Sequence, residues 1–166
     1  LGDDASYSGT VAGALEATVL GVPGLAFSLV AREQYDFTEA ARFAVVAVRK
    51  VLEEPLTDGT FLNINVPPGE VRGVRITRQG VKNARPLVTE YLDPRGKAYY
   101  WIGEEYFTSE HEDGTDYSAV RQGHISVTPM RADLTNHTAL KTLDTWNALR
   151  FGASREEEDA AVGRDS

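Results

Sequence analysis

The chain has 166 residues, 42% hydrophobic and 25% charged; 17 Lys plus Arg against 25 Asp plus Glu give a formal net charge of −8. That is the composition of one soluble globular domain, long enough to bury a core unaided, and the absence of cysteine excludes disulfides, thiol catalysis and Cys-ligated metal centres. The acidic balance argues against a non-specific grip on DNA, RNA or anionic membrane, but leaves room for a small phosphorylated ligand held by backbone N–H groups.

The chain opens Leu1-Gly2-Asp3-Asp4, and its one methionine is Met130, which points to part of a longer or processed polypeptide. No leader and no apolar run of membrane-spanning length, roughly 18 residues, is visible. Ser8 to Leu20 reads as a helix capped by Ser8, with Val11, Ala14, Leu15, Thr18 and Val19 at three- and four-residue steps. Gly21 and Pro23 end it, and Gly24 to Val30 reads as a buried strand. Asp36 to Glu54 is the clearest helix: Asp36 and Glu39 resemble a capping box, and Phe37, Ala41, Ala44, Val45, Val48, Val51 and Leu52 are expected on its core face.

Phe61 to Val66 reads as a strand with Leu62, Ile64 and Val66 on one side, and Phe61, Asn63 and Asn65 on the other. Val71 to Thr77 is the next strand. A β-hairpin is predicted from Leu87 to Leu92 and Lys97 to Ile102 around Asp93-Pro94-Arg95-Gly96, with Pro second and Gly fourth in the turn. Glu104 to Asp116 is expected to be an acidic loop, and Asp116 to cap one helical turn closed by Gly123. A strand is predicted over His124 to Thr128, ended by Pro129. A final helix is predicted over Asn136 to Leu149 with the stripe Leu140, Leu143, Trp146 and Leu149. The tail from Gly152 to Ser166 holds too little apolar residue to fold and is expected to be disordered. Helix followed directly by buried strand is the pattern of an α/β sheet.

Tyr7-Ser8-Gly9-Thr10 is the segment with the most chemical content. Unpaired N–H groups of a helix's first turn carry partial positive charge, Gly9 lets a ligand approach the backbone, and the Ser8 and Thr10 hydroxyls add donors. Together they form a candidate phosphate cradle; the plainer reading of Ser-Gly-Thr at a helix start is a cap.

Leu1 to Leu29 (LGDDASYSGTVAGALEATVLGVPGLAFSL) resembles the central signature of the SurE family of survival proteins, the 5′/3′-nucleotidases. Phe61 to Gly69, Gly73 to Gly80, Leu92 to Gly103 and Gly114 to Thr135 are similar to later family blocks in the same order. Glu104 to Asp113, Lys82 to Pro86 and the tail diverge. The resemblance implies an α/β fold, a SurE-like Rossmann-type three-layer sandwich with a projecting C-terminal β-hairpin and helix. It implies a 5′-nucleotidase: a phosphatase using a divalent metal ion, Mg or Mn, to hydrolyse nucleoside 5′-monophosphates, with 3′-nucleotides and polyphosphate as further substrates. The family's metal-binding Asp pair, Ser and Asn all lie before the position matching Leu1, so the chain corresponds to the C-terminal two-thirds of such a protein. By that reading the fragment alone is inactive and contains no metal ligand. Asp3 and Asp4 are adjacent acids in a different context, resembling loop acids near a helix start rather than the metal pair.

The three histidines carry little chemistry. His111 sits in the acidic loop, His124 opens a strand, and His137 lies four residues after Asp133, a spacing that suits a structural Asp133–His137 contact better than acid–base catalysis. Tyr99 and Trp101 share one face of the hairpin arm and Tyr100 takes the other, as in an interface. The resemblance implies the same, a homodimer or homotetramer built through hairpin and C-terminal helix.

The expected division is therefore 1–80 as nucleotidase core, 81–116 as hairpin and acidic loop used in oligomerisation, 117–151 as C-terminal strand and helix, and 152–166 as disordered tail. A cytoplasmic location, a nucleoside monophosphate substrate, and no membrane or nucleic-acid duplex complete the expectation. The alternative is a non-catalytic nucleotide- or phosphate-binding α/β domain that oligomerises. A dinucleotide-binding Rossmann domain fits poorly, since no GxGxxG follows a strand.

Overall fold

A computed structural model describes residues 1–31, 35–81, 84–106 and 112–149. Two compact units are present, Leu1–Asp133 and the segment from Leu134 onward. His111 and the tail from residue 150 lie outside the described residues, as does half of the divergent part of the acidic loop, 107–111.

In the first unit a 3-10 helix (Gly2–Tyr7) leads into α1 (Gly9–Val19), β1 (Leu25–Leu29), α2 (Thr38–Glu53), β2 (Thr60–Val66) and β3 (Gly73–Ile76). A hairpin of β4 (Ala84–Leu92) and β5 (Ala98–Tyr106) precedes α3 (Asp116–Arg121) and β6 (His124–Arg131). Four strands form one sheet in the order β1-β2-β6-β3. β1 is parallel to β2, β6 is antiparallel to β2, and β3 is parallel to β6.

The alternation in β2 sets the two faces. Leu62, Ile64 and Val66 join Ile125 and Val127 of β6 against Ala40 and Ala47 of α2. On the other face Phe61 and Ala26 meet Val11 and Ala14 of α1 and Ala5 of the 3-10 helix. Helices thus cover both sides of a mixed sheet, as the chain's helix–strand order requires.

Several boundaries differ from the sequence reading, each for a local reason. Asp36 Oδ1 accepts from Thr38 N–H at 2.9 Å, but Glu39 pairs with Arg42 rather than reaching back, so the capping box is half formed. α2 turns Ala40, Ala47 and Val51 inward, while Phe37, Val45, Val48 and Leu52 remain exposed. Small alanines let the helix approach the sheet closely, and of the larger apolar residues expected on the core face Val51 alone is buried. β6 runs through Pro129 instead of stopping. Leu62 N–H donates to Gly24 on the β1 side, so Pro129 opposite it points its nitrogen away from β2 and no bond between β2 and β6 is lost; on the other side the ladder ends with Thr77 N–H donating to Val127 O.

The hairpin is longer than predicted, and residues 104–106, expected in the loop, are paired strand. Its turn is fixed by Asp93, whose Oδ1 accepts from Arg95 and Lys97 N–H at 2.8 Å each, with Gly96 at φ +79. A positive φ after a tight turn is the geometry of a glycine bulge.

In the second unit the expected helix over Asn136 to Leu149 divides into α4 (His137–Leu143) and a 3-10 helix (Asp144–Ala148). Asn136 caps α4 by accepting from Ala139 N–H at 3.0 Å, and Asn147 donates to Asp144 at 2.9 Å. Leu140, Leu143, Trp146 and Leu149 recur every three residues, which matches three residues per turn better than 3.6.

Candidate functional site

The tip of α1 is built by the sequence Tyr7-Ser8-Gly9-Thr10. Ser8 has extended backbone and its hydroxyl accepts from Val11 N–H at 3.3 Å, while its carbonyl takes Ala12 N–H at 2.9 Å. Ser8 is therefore the cap, and its hydroxyl proton remains able to donate. The N–H groups of Gly9 and Thr10 have no acceptor among the described residues. Both residues are exposed, and a Cβ placed on Gly9 would meet nothing within 4 Å. Two backbone donors and the positive end of a helix dipole are thus exposed, with the exposed Thr10 and the half-buried Ser8 beside them.

Where that tip lies follows from the connection. Only Leu20 to Gly24 separate α1 from β1, so the helix runs back along the strand and its start lies toward the end where β1 and β2 finish. Ligands of open α/β sheets bind at such ends. A cleft of about 290 Å³ opens there too, lined by Leu29, Asp36, Glu39, Pro67, Pro68 and Gly69. Its two carboxylates make it a poor anion site; hydrogen bonds from Thr38 hold the Asp36 carboxyl below the ordinary aspartate value, keeping it ionised.

Asp3 and Asp4 fall in the first turn of the 3-10 helix, both exposed. Among the described residues no group of three or more His, Asp or Glu side chains could hold a metal ion. An adjacent exposed acid pair offers too few ligands for a hard divalent cation, so these residues do not fit such an ion by themselves.

The other singled-out residues belong to other elements. His124 opens β6 with its Nδ1 at 3.1 Å from the Gln122 carbonyl oxygen. Asp133 closes the first unit and His137 begins α4 in the second. Tyr99, Tyr100 and Trp101 lie on β5, with Tyr99 stacked on Tyr91 at 5.7 Å between ring centroids. Both faces of the hairpin are exposed: Tyr100 and Ile102 on one, Tyr99 and Trp101 on the other.

Two features were not legible beforehand. Asp116 is not the cap of α3; that role belongs to Thr115, whose hydroxyl accepts from Ser118 N–H. Asp116 is instead fully buried and accepts from Gly2, Gly80 and Tyr117. A polar row also lies buried on the α1 face of the sheet, where Thr77 Oγ1 sits 2.8 Å from Ser126 Oγ and 2.7 Å from Thr128 Oγ1. Asn63 and Asn65 continue it, and the Asn65 amide nitrogen has no partner among the described residues. The alternation of β2 signals the asparagines' shared face; nothing local signals Asp116, whose Gly2 partner is 114 residues away.

Comparison with known proteins agrees with the resemblance in the sequence. A family model described as survival protein SurE matches residues 1–86. The protein named 5′-nucleotidase SurE of Aquifex aeolicus is 46% identical over 146 residues, covering 86% of this chain and 58% of its own length. That of Syntrophotalea carbinolica is 47% identical over 149 residues, with 89% and 60% covered. That of Myxococcus xanthus is 45% identical over 163 residues, with 97% and 62% covered. The crystal structure of the SurE protein from Aquifex aeolicus is similar at a TM-score of 0.78 and 45% identity, covering 89% of this chain and 60% of that one. The chain therefore spans about three-fifths of the length of these relatives.

Proposed function

We propose a function from one premise: the chain belongs to the SurE family of survival proteins. It forms part of a phosphomonoesterase that hydrolyses nucleoside 5′-monophosphates to nucleoside and phosphate, with 3′-nucleotides and polyphosphate as further substrates. The relatives' shared name, 5′-nucleotidase SurE, supports the reaction class. The single observation that supports this chain's part in it is the open tip of α1, with the unaccepted N–H groups of Gly9 and Thr10 beside the Ser8 and Thr10 hydroxyls.

Ser8, Gly9 and Thr10 hold the non-bridging phosphate oxygens with fixed donors, and so position phosphorus for attack and stabilise charge gathering on those oxygens. Neutral donors suit this task in a chain of net charge −8, because the helix dipole supplies positive potential without a lysine. The divalent cation, Mg or Mn in this reading, would neutralise phosphate charge and activate water. Its ligands would come from polypeptide outside this chain, since Asp3 and Asp4 do not suffice. A cytoplasmic location and a homodimer or homotetramer belong to the same reading.

The test is the Ser8→Ala/Thr10→Val double variant in the full-length protein. kcat/KM for a nucleoside monophosphate falls by at least about tenfold, the scale of losing a transition-state donor. Ser8→Ala also removes a helix cap, at about 1 kcal/mol, so melting is followed in parallel. An unchanged kcat/KM rejects the assignment. The alternative of a non-catalytic phosphate-binding domain predicts phosphate binding at this tip with no turnover in the full-length protein.

A further inference from the structure

The turn that delivers the chain to Ser8 is fastened by a residue from the far end of the first unit. Asp116 has no exposed surface. Its Oδ2 accepts from Gly2 N–H at 2.6 Å, and its Oδ1 accepts from Gly80 N–H and Tyr117 N–H at 2.9 Å each. Fixed amide dipoles thus take the place of water around a buried carboxylate, and hydrogen bonds to an ion are the strong ones. The same backbone is gripped twice more: Gln79 Nε2 donates to Gly2 O at 3.0 Å, and Tyr117 Oη donates to Leu1 O at 3.3 Å.

The fit leaves no slack. A Cβ on Gly2 would strike the Tyr117 ring and lie 2.8 Å from Gly80 O. One on Gly80 would lie 2.8 Å from Tyr117 Cδ2 and 2.9 Å from Asp116 Oδ1. At the other end of the 3-10 helix, Ala5 is buried against α1 and β1, and Ser8 N–H donates to Ala5 O at 3.3 Å. The six residues Gly2–Tyr7 are therefore held at both ends, with Ser8 as the next residue.

We propose that Asp116 is a positioning residue: its carboxylate locks the Gly2–Tyr7 turn so that the first turn of α1 is already set to receive a phosphoryl group. This rests on the phosphate reading given above. A site made of backbone donors works only when those donors are fixed before the ligand arrives, since a turn that must order on binding weakens both affinity and alignment. Asp116→Asn keeps the side chain's shape but puts one carboxamide N–H₂ where an acceptor was needed. At least one of Gly2, Gly80 and Tyr117 then loses its acceptor. Gln79→Leu loosens the same turn from a half-buried position and leaves the buried carboxylate in place.

Both variants are made in the full-length protein beside the Ser8→Ala/Thr10→Val reference. Three quantities are read: the inhibition constant of inorganic phosphate, kcat and KM for a nucleoside monophosphate, and amide hydrogen exchange at residues 2–8 against α2. In Asp116→Asn, exchange at residues 2–8 rises while α2 is unchanged, and the phosphate inhibition constant and KM rise about tenfold, the scale of a modest misplacement. Gln79→Leu moves the same readouts severalfold. Should Asp116→Asn fail to fold, Gln79→Leu decides by the same measurements. A lower melting temperature with unaltered phosphate inhibition and KM makes the contact merely structural and overturns the proposal, even if the reference variant loses phosphate as expected. If the reference variant itself retains phosphate, the phosphate reading falls and the positioning role falls with it.

Discussion

Gly9 shows how one residue divides stability from function. It sits in the first turn of α1 with nothing within 4 Å of where a Cβ would be. Alanine there meets no clash and reduces the freedom of the unfolded chain, so Gly9→Ala stabilises by about 0.4–1 kcal/mol. In the proposed site the same methyl stands where phosphate oxygens approach the backbone, so phosphate inhibition weakens as urea resistance rises. Loss of both, or of neither, would contradict the open-tip assignment. Ser8 is legible from sequence as a cap, because capping depends only on residues three positions apart. Asp116 is the opposite case. Its position before a helical turn suggests a cap, yet Thr115 takes that role and Asp116 is drawn inward by Gly2 and Gly80, partners that local sequence does not announce.

At the scale of elements, the start of α2 carries a pH dependence with a definite sign. The Asp36 carboxyl is lowered by its hydrogen bonds with Thr38, side chain first and backbone next. A depressed folded-state pKa means that the ionised form is the one favoured by folding. Its contribution is complete above the unfolded aspartate value and is lost as pH falls through that value toward the lower folded one. Amide exchange in the first turn of α2 therefore rises, relative to the helix centre, as acid protonates Asp36. Asp36→Ala abolishes that difference, and Asp36 is so exposed that the effect stays within the turn. Element types were well announced by periodicity, since α1, α2, β2 and the hairpin all occur where the pattern puts them. Which face of α2 turns inward was not, because hydrophobic size alone does not reveal that alanines permit the closer approach.

At the scale of the whole molecule the hairpin is the outstanding problem of burial. A two-stranded sheet is marginal by itself in water, and this one leaves Trp101 at 66% and Ile102 at 75% exposed on opposite faces. In the proposed oligomer a neighbouring copy covers those faces. Tyr100→Ser with Trp101→Ser, made in the full-length protein, lowers the mass measured by sedimentation at micromolar concentration while the sheet's far-ultraviolet dichroism persists. An unchanged mass would remove the hairpin from the interface. The two units, Leu1–Asp133 and the segment from Leu134, also show that β6 belongs with the central sheet, where it lies between β2 and β3, although it follows the hairpin in sequence.

Sequence by itself determined the family, the helix and strand types, the two-faced pattern of β2 and the cap at Ser8. Each of these is carried by ordered motifs or by residues within a few positions of one another, where backbone period and local hydrogen bonding decide. Tertiary structure alone decided that Asp116 is buried against Gly2 and Gly80, that Pro129 is tolerated inside β6, and that the small face of α2 meets the sheet. Those outcomes depend on which distant backbone happens to lie alongside, and a buried polar group takes its meaning only from the partners that folding brings to it.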